Sequence, residues 1–288
     1  MHKNAKTLIT IAGPTAVGKT GFAIALAKRL GAEIFSADSR QVYQELNIGV
    51  AKPTLTQLEE VKHHFIGNIS IHEPYDVASY VDEMNEALKA YFEHHDVAIL
   101  CGGTGLYIDA LHNGIDTMPD IPTHIREHYQ QLLTSEGLEP LQDELRNKDI
   151  EYYNVVDKQN PRRVLRALEV IAVSGEPFSN FRKKNGKGHD YRKLNYLLEM
   201  DREQLYHRIN YRVETMINQG LLEEVKNLMP YQNLKALQTV GYTELFDYLE
   251  GKHNLETAVE LIKRNSRRYA KRQMTWFRKY GNWKVFRL

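Results

Sequence analysis

The segment Gly13-Pro14-Thr15-Ala16-Val17-Gly18-Lys19-Thr20 has the spacing of a loop that wraps a phosphate chain. Its glycines let backbone N–H groups turn inward around an anion, and a helix starting at its end adds positive potential. Lys19 supplies a movable point charge and Thr20 a hydroxyl for Mg²⁺. None of these contacts reads a base or a third phosphate, so the pattern defines a diphosphate ligand, although it is also the pattern by which ATP binding is commonly assigned. A P-loop hydrolase usually places an acid at the end of an apolar strand. Here Val97-Ala98-Ile99-Leu100-Cys101 runs into Gly102-Gly103-Thr104-Gly105 instead. That turn suits close approach of backbone and hydroxyl to a ligand, or it is a tight strand-to-helix connection. A further polar cluster, Ser36-Ala37-Asp38-Ser39-Arg40-Gln41, offers Asp38 as a proton acceptor and Ser39, Arg40 and Gln41 as contacts to a polar substrate. The alternative is that Asp38 or Ser39 caps a short helix.

All three clusters follow strand-like runs. Thr7 to Ala12 is β-prone and leads through the glycine loop into the helical spacing of Phe22, Ala23, Leu26, Ala27 and Leu30. Glu33 to Ser36 forms a second strand, and a helical stretch from Val77 to His94 leads to the strand Val97 to Cys101. This alternation predicts an α/β fold, a P-loop-type parallel sheet core flanked by helices. Ligands bind such sheets beyond the carboxyl ends of the strands, where the three clusters fall. After Gly114 the texture turns helical around Ile125 to Leu133 and Pro161 to Val173, then polar from Arg182 to Lys193. The reading is a core of residues 1–115 and 193–288 with a small helical insertion domain at 116–192. A strand from Leu194 to Met200 returns to the core, followed by helices at Arg202 to Asn218, Leu221 to Leu228, Tyr242 to Leu249 and Glu256 to about Lys279.

Of the 288 residues, 42% are hydrophobic and 26% charged, proportions of an ordinary globular protein. No run reaches the ~20 apolar residues of a membrane span. The lone Cys101 and an N-terminus without an apolar targeting segment lead to the expectation of a cytoplasmic protein. The net charge of +1 hides an asymmetry: Lys263 to Leu288 contains no Asp or Glu but ten Lys and Arg.

The chain resembles the tRNA dimethylallyltransferase (isopentenyl-tRNA transferase) family. The resemblance rests on Gly13 to Thr20, Ser36 to Tyr43, Gly49-Val50-Ala51-Lys52-Pro53, His63-His64, Gly102 to Tyr107, Arg163 to Glu169, Val240-Gly241-Tyr242 and Tyr269 to Arg278. It implies transfer of a dimethylallyl group from dimethylallyl diphosphate to the N6 amine of the adenosine 3′ of the anticodon, in tRNAs reading codons that begin with U. The cofactor implied is Mg²⁺, bound at Thr20. Asp38 matches the family's catalytic acid, with Thr104 and Lys19 beside it in the reaction. The diphosphate site implied is Gly13, Pro14, Thr15, Ala16, Val17, Gly18, Lys19 and Thr20, joined by Arg212, for which a solvated helix-face charge is the alternative. Asn47 and Val50 depart from the family's usual Asp and Thr, and Gly67 stands where Asp is common. No Cys/His cluster of zinc spacing is present.

The partner implied is a tRNA anticodon stem-loop, met by Asp38, Ser39, Arg40, Gln41 and Thr104, by Arg126, Arg162, Arg163 and Arg166, and by Gln238, Thr239, Val240, Gly241, Tyr242 and Thr243. Lys271, Arg272 and Arg278, interleaved with Tyr269, Trp276, Phe277, Tyr280 and Trp283, suit phosphate tracking and base stacking. Some of those aromatics must instead pack in the core. The loop from Arg182 to Lys193 offers a further grip on the stem, or is a solvated charge run. A monomer without membrane contact is the default. A kinase would explain the P-loop but not the acid-free C-terminus, and a non-catalytic P-loop RNA-binding module would leave Asp38 and Thr104 idle.

Overall fold

The computed structural model describes residues 6–182 and 190–288. In chain order it begins β1 (Thr7–Ala12), α1 (Lys19–Leu30), β2 (Ile34–Ser36), α2 (Leu55–Glu60), β3 (His63–His64), α3 (Val77–His94), β4 (Val97–Gly102) and α4 (Gly105–Asn113). Four helices follow: α5 (Thr123–Glu136), α6 (Glu139–Lys148), α7 (Ile150–Val155) and α8 (Pro161–Ser174). The chain ends with β5 (Arg192–Glu199), α9 (Arg202–Asn218), α10 (Leu221–Leu228), α11 (Tyr242–Leu249), α12 (Leu255–Lys279) and β6 (Lys284–Arg287). It divides into two compact units, Met1–His112 with Gly188–Leu288, and Asn113–Lys187.

In the first unit the strands form one parallel sheet in the order β3-β2-β4-β1-β5-β6. Helices cover both faces, so the central strands are apolar without alternation: Leu8, Ile9, Ile11 and Ala12 of β1 are all buried. The one polar residue among them, Thr10, pairs through its hydroxyl with His112 Nε2 at 3.1 Å. The helices start where the sequence supplies caps. Asp76 accepts from the backbone N–H groups of Ala78 and Ser79 to open α3, and Asn254 accepts from Thr257 to open α12. A core cluster containing Ile11, Val17, Ala23, Ile34, Ile99, Leu198 and Ile209 packs α1 and α9 on the sheet. A second, built on Val42, Leu46, Val225, Tyr242, Leu245 and Ile262, lies among α9 to α12.

Register aligns the strand ends that matter. Ala12 pairs with Gly102, and Ser36 with Cys101. The loops after β1, β2 and β4 therefore leave the sheet at one level. Two strands were not foreseen: β3 is two residues long, and β6 is exposed at every position, so neither shows a burial period. The unforeseen α2 and α7 have six residues each, and α6 buries only Leu141 and Leu145. Among the described residues the second unit contains helices and no strand, packed around Tyr129, Leu145, Val164, Leu168 and Ile171. Its α8 buries one face and turns Arg162 and Arg163 to solvent.

Candidate active site

The phosphate loop is a backbone structure first. Gly18 sits at φ 108, in the left-handed region a side chain disfavours, and directly precedes α1. Ala16 adopts φ 64 despite its Cβ, a strained geometry of the kind concentrated at binding loops. Lys19 folds back so that Nζ donates to the Pro14 carbonyl at 2.8 Å. Burial pushes its pKa down to about 8, opposed by the nearby Cys101 and Asp38 and reinforced by Arg212. The Cys101 thiol behind it is pushed up to about 11, chiefly by burial. Arg212, on α9, donates from Nη1 to the Thr15 hydroxyl at 3.2 Å. Its pKa is lowered by burial and then by the neighbouring Arg208. Among the described residues none of these three cations forms an ion pair within 4.0 Å. Cations crowded at this cost beside the phosphate loop are an arrangement that a polyvalent anion would relieve.

The acid enters from β2. Asp38 Oδ1 accepts from the backbone N–H groups of Arg40 at 2.9 Å and Gln41 at 3.3 Å, leaving Oδ2 with no donor among the described residues. The turn thus aims a carboxylate oxygen outward while holding its partner. Two backbone bonds tie it to the end of β4: Ala37 N–H donates to the Cys101 carbonyl at 2.8 Å, and Thr104 N–H to the Ala37 carbonyl at 3.1 Å. The Thr104 hydroxyl accepts from Ser39 N–H at 3.0 Å. Asp38, Thr104 and Lys19 therefore belong to one constellation at the carboxyl ends of β1, β2 and β4.

A cleft of about 740 Å³ opens from the loop at Ala16, Arg208 and Arg212. Ile48, Pro53, Leu58 and Met216 make much of the rest of its wall apolar. The Asn47–Pro53 segment, in which Asn47 and Val50 depart from the family's usual residues, contributes Asn47, Ile48, Ala51, Lys52 and Pro53 to that wall. Glu224 accepts from Ile48 N–H at 2.8 Å and Gly49 N–H at 3.1 Å. Lys52 spans the segment by donating to the Gln44 carbonyl and to Asn47 Oδ1, both at 3.1 Å.

The expected RNA-contacting residues divide into several groups. Lys271 and Arg272 are exposed on α12, as is Arg278, which also reaches Glu199 at 3.5 Å. In the helical unit Arg126, Arg162 and Arg163 are exposed, and Arg166 lies 3.8 Å from Glu169. Gln238 is exposed, with Thr239, Val240 and Thr243 half-buried. Residues 183–189 of the loop expected to grip the stem lie outside the described residues.

Two expectations need correction. Tyr242 is fully buried and donates its hydroxyl to Glu224 at 2.6 Å, so it is a core strut. Gly241 is buried as well, its N–H given to Glu244. Gln41 spends its amide donors on the Val50 and Ala51 carbonyls and holds the cleft wall. Among the aromatics Phe277 is core and Trp276 packs on Gly105, whereas Tyr269 is 37% exposed. The Tyr269 hydroxyl is pushed up to about 12, chiefly by burial and then by the charge of Asp38. Sequence reasoning missed Arg208, one turn before Arg212, and Gln273, which reaches the phosphate loop. The i, i+4 arginine pair was a readable signal for the first. An uncharged residue amid a basic stretch gave none for the second.

Fold and site together define an α/β P-loop-type protein with buried cations and a carboxylate gathered at its strand ends. The family model for IPP transferase matches residues 41–280. A tRNA dimethylallyltransferase 1 from Bacteroides thetaiotaomicron is 45% identical over 273 residues, covering 95% of this chain and 89% of the relative. A tRNA dimethylallyltransferase from Christiangramia forsetii is 46% identical over 272 residues, 94% and 90% of the two chains. The crystal structure of the full-length tRNA isopentenylpyrophosphate transferase from Bacillus halodurans superposes with a TM-score of 0.72 at 38% identity, over 98% of this chain and 90% of that one. A eukaryotic dimethylallyltransferase acting on tRNA gives a TM-score of 0.81 at 26% identity, over 98% and 74%. The chain belongs to the IPP transferase family and is a prenyl-transferring enzyme.

Proposed function

We propose that this enzyme transfers a dimethylallyl group from dimethylallyl diphosphate to the N6 amine of the adenosine 3′ of the anticodon in tRNA. The observation that carries the reading is the convergence, at three level strand ends, of an anion cradle around Lys19 and Arg212 with the outward carboxylate of Asp38. The apolar cleft adjoining the cradle suits a ligand with a charged head and a hydrocarbon tail.

An exocyclic adenine amine is a weak nucleophile because its lone pair is delocalised into the ring. As N6 attacks C1 of the donor, the C1–O bond to diphosphate breaks, the N6–C1 bond forms, and a proton leaves N6 for Asp38 Oδ2. The Thr104 hydroxyl stands beside that path. Charge grows on the departing diphosphate, so preorganised donors aimed at it lower the barrier most. Here those donors are the loop amides, Lys19 and Arg212. Thr20, in the first turn of α1 directly after the phosphate loop, offers the hydroxyl that would hold an ion carried otherwise by substrate phosphates and water. Mg²⁺ bound in that way would supply charge neutralisation on the diphosphate.

The acceptor base must leave its stack, which is cheapest in a single-stranded loop. Exposed Lys271 and Arg272 of α12, and Arg126, Arg162 and Arg163 of the helical unit, are the proposed phosphate contacts. No helix among the described residues is long and apolar enough to cross a membrane; a monomer acting on tRNA in the cytoplasm is part of the proposal. Incubation with undermodified tRNA, Mg²⁺ and either C1-labelled dimethylallyl diphosphate or γ-labelled ATP tests the reading. Label enters tRNA only from the isoprenoid donor; phosphate transfer from ATP would make the protein a kinase.

A further inference from the structure

Transfer requires the diphosphate cradle and the acceptor-side turn to keep a fixed separation, yet they sit on different loops. Beyond the strand pair Ala12–Gly102, no backbone hydrogen bond joins the loop after β1 to the turn after β4 among the described residues. One side chain does. Gln273, buried on α12, accepts from Thr15 N–H through Oε1 at 2.9 Å and donates from Nε2 to the Gly103 carbonyl at 2.9 Å. We propose that Gln273 is a positioning residue that locks the phosphate loop in register with the turn carrying Thr104.

The chemistry of the contact is specific to an amide. It must offer one acceptor and one donor from a single planar group, and Gln does so without a charge. Gly103 lacks a Cβ where one would collide with the Gln273 amide nitrogen, so the turn is shaped to admit this side chain. Both ends of the bridge continue into working residues. Thr15 receives Arg212 on its hydroxyl, and Gly103 precedes Thr104, whose hydroxyl receives Ser39 N–H next to Asp38. Arg212, Thr15, Gln273, Gly103 and Thr104 thus form a strap from the cradle to the acid. A reacting geometry misplaced by ~1 Å costs on the order of 100-fold in rate.

The inference rests on the transfer reaction proposed above, and two variants test it. In Gln273→Glu the neutral carboxylic acid donates to Gly103 and accepts from Thr15 as the amide does, whereas the carboxylate has no donor and sets a negative charge against the cradle. Burial favours the neutral form, so the variant switches with pH. At about pH 6 its kcat/KM for the donor lies within roughly fivefold of the parent's, and by about pH 9 the ratio to parent falls a further ~100-fold, most of it in kcat. Its affinity for tRNA, measured at both pH values, stays with the parent's. Gln273→Met loses ~10-fold or more of kcat/KM, with a ratio to parent that does not change with pH. A Gln273→Glu ratio that is flat with pH, or a Gln273→Met variant with parental kcat/KM, overturns the proposal. Affinity for inorganic diphosphate with Mg²⁺ is measured on the same proteins, and its ratio to parent falls between the same two pH values by less than ~10-fold, the part of the loss not carried by kcat. That reading needs no acceptor, so a parent enzyme that binds diphosphate but leaves tRNA unmodified refutes the reaction while the bridge is still tested.

Discussion

Replacing Asp38 by Asn separates the two tasks of this side chain. Asn keeps an oxygen where Oδ1 takes the N–H groups of Arg40 and Gln41, so the turn survives. What disappears is the second carboxylate oxygen, and with it the proton acceptor. Loss of general-base assistance lowers turnover by ~10²–10⁴-fold, or about 3–5 kcal/mol of barrier. Asp38→Ala removes the turn's acceptor as well and leaves two partly exposed N–H groups, adding ~1 kcal/mol of destabilisation that Asn avoids. The assay is single-turnover transfer of C1-labelled donor to saturating tRNA, with tRNA affinity from filter binding and stability from denaturant unfolding. Asp38→Asn should show the full loss in rate with parental tRNA affinity and stability. A rate for Asp38→Asn within threefold of the parent refutes the assignment of Asp38 as proton acceptor.

Four further outcomes follow from the site. The free enzyme's Lys19 loses its proton as pH rises through about 8, so affinity for diphosphate, followed by calorimetry, should fall above that pH. The same group makes unfolding harder between about pH 8 and its ordinary 10.5, because there the unfolded chain binds the proton that the folded one has shed. Arg212→Lys gives up the fork that reaches Thr15 and should raise the donor KM by ~10-fold with a smaller change in kcat, read from steady-state kinetics. Tyr242→Phe keeps the buried ring but loses the bond to Glu224. It should cost ~1 kcal/mol in urea unfolding and leave tRNA affinity unchanged; weakened RNA binding at parental stability would return Tyr242 to the RNA surface.

The sequence was informative where local chemistry and periodicity coincide. The glycine loop, the turn at Asp38 and the Gly-Gly-Thr-Gly turn each follow an apolar run, and a parallel sheet puts all such ends on one side. The helices α3, α9, α10 and α11 match their expected bounds because each has a cap or a clear apolar stripe. Residues joined only by tertiary contact were not legible. Tyr242 lies in a segment expected on the RNA, but its ring fills the space over Gly49 and its hydroxyl completes the Glu224 clamp. Gln273 shares a stretch with cations and aromatics, and its bond to a loop 258 residues away in sequence leaves no local pattern. The same holds for Glu224, whose solvated-looking helix position conceals a carboxylate that fixes the cleft wall.

The central claim is one of bond formation: the isoprenoid C1 joins the N6 amine of an adenosine as diphosphate leaves. The direct measurement is a stoichiometric one, in which inorganic diphosphate release is counted against modified nucleoside identified by mass spectrometry after complete digestion of the tRNA. The account predicts one diphosphate for each N6-dimethylallyl adenosine, all of it from the position 3′ of the anticodon. Diphosphate released without alkylated adenosine, or label found on a phosphate or another base, would contradict it.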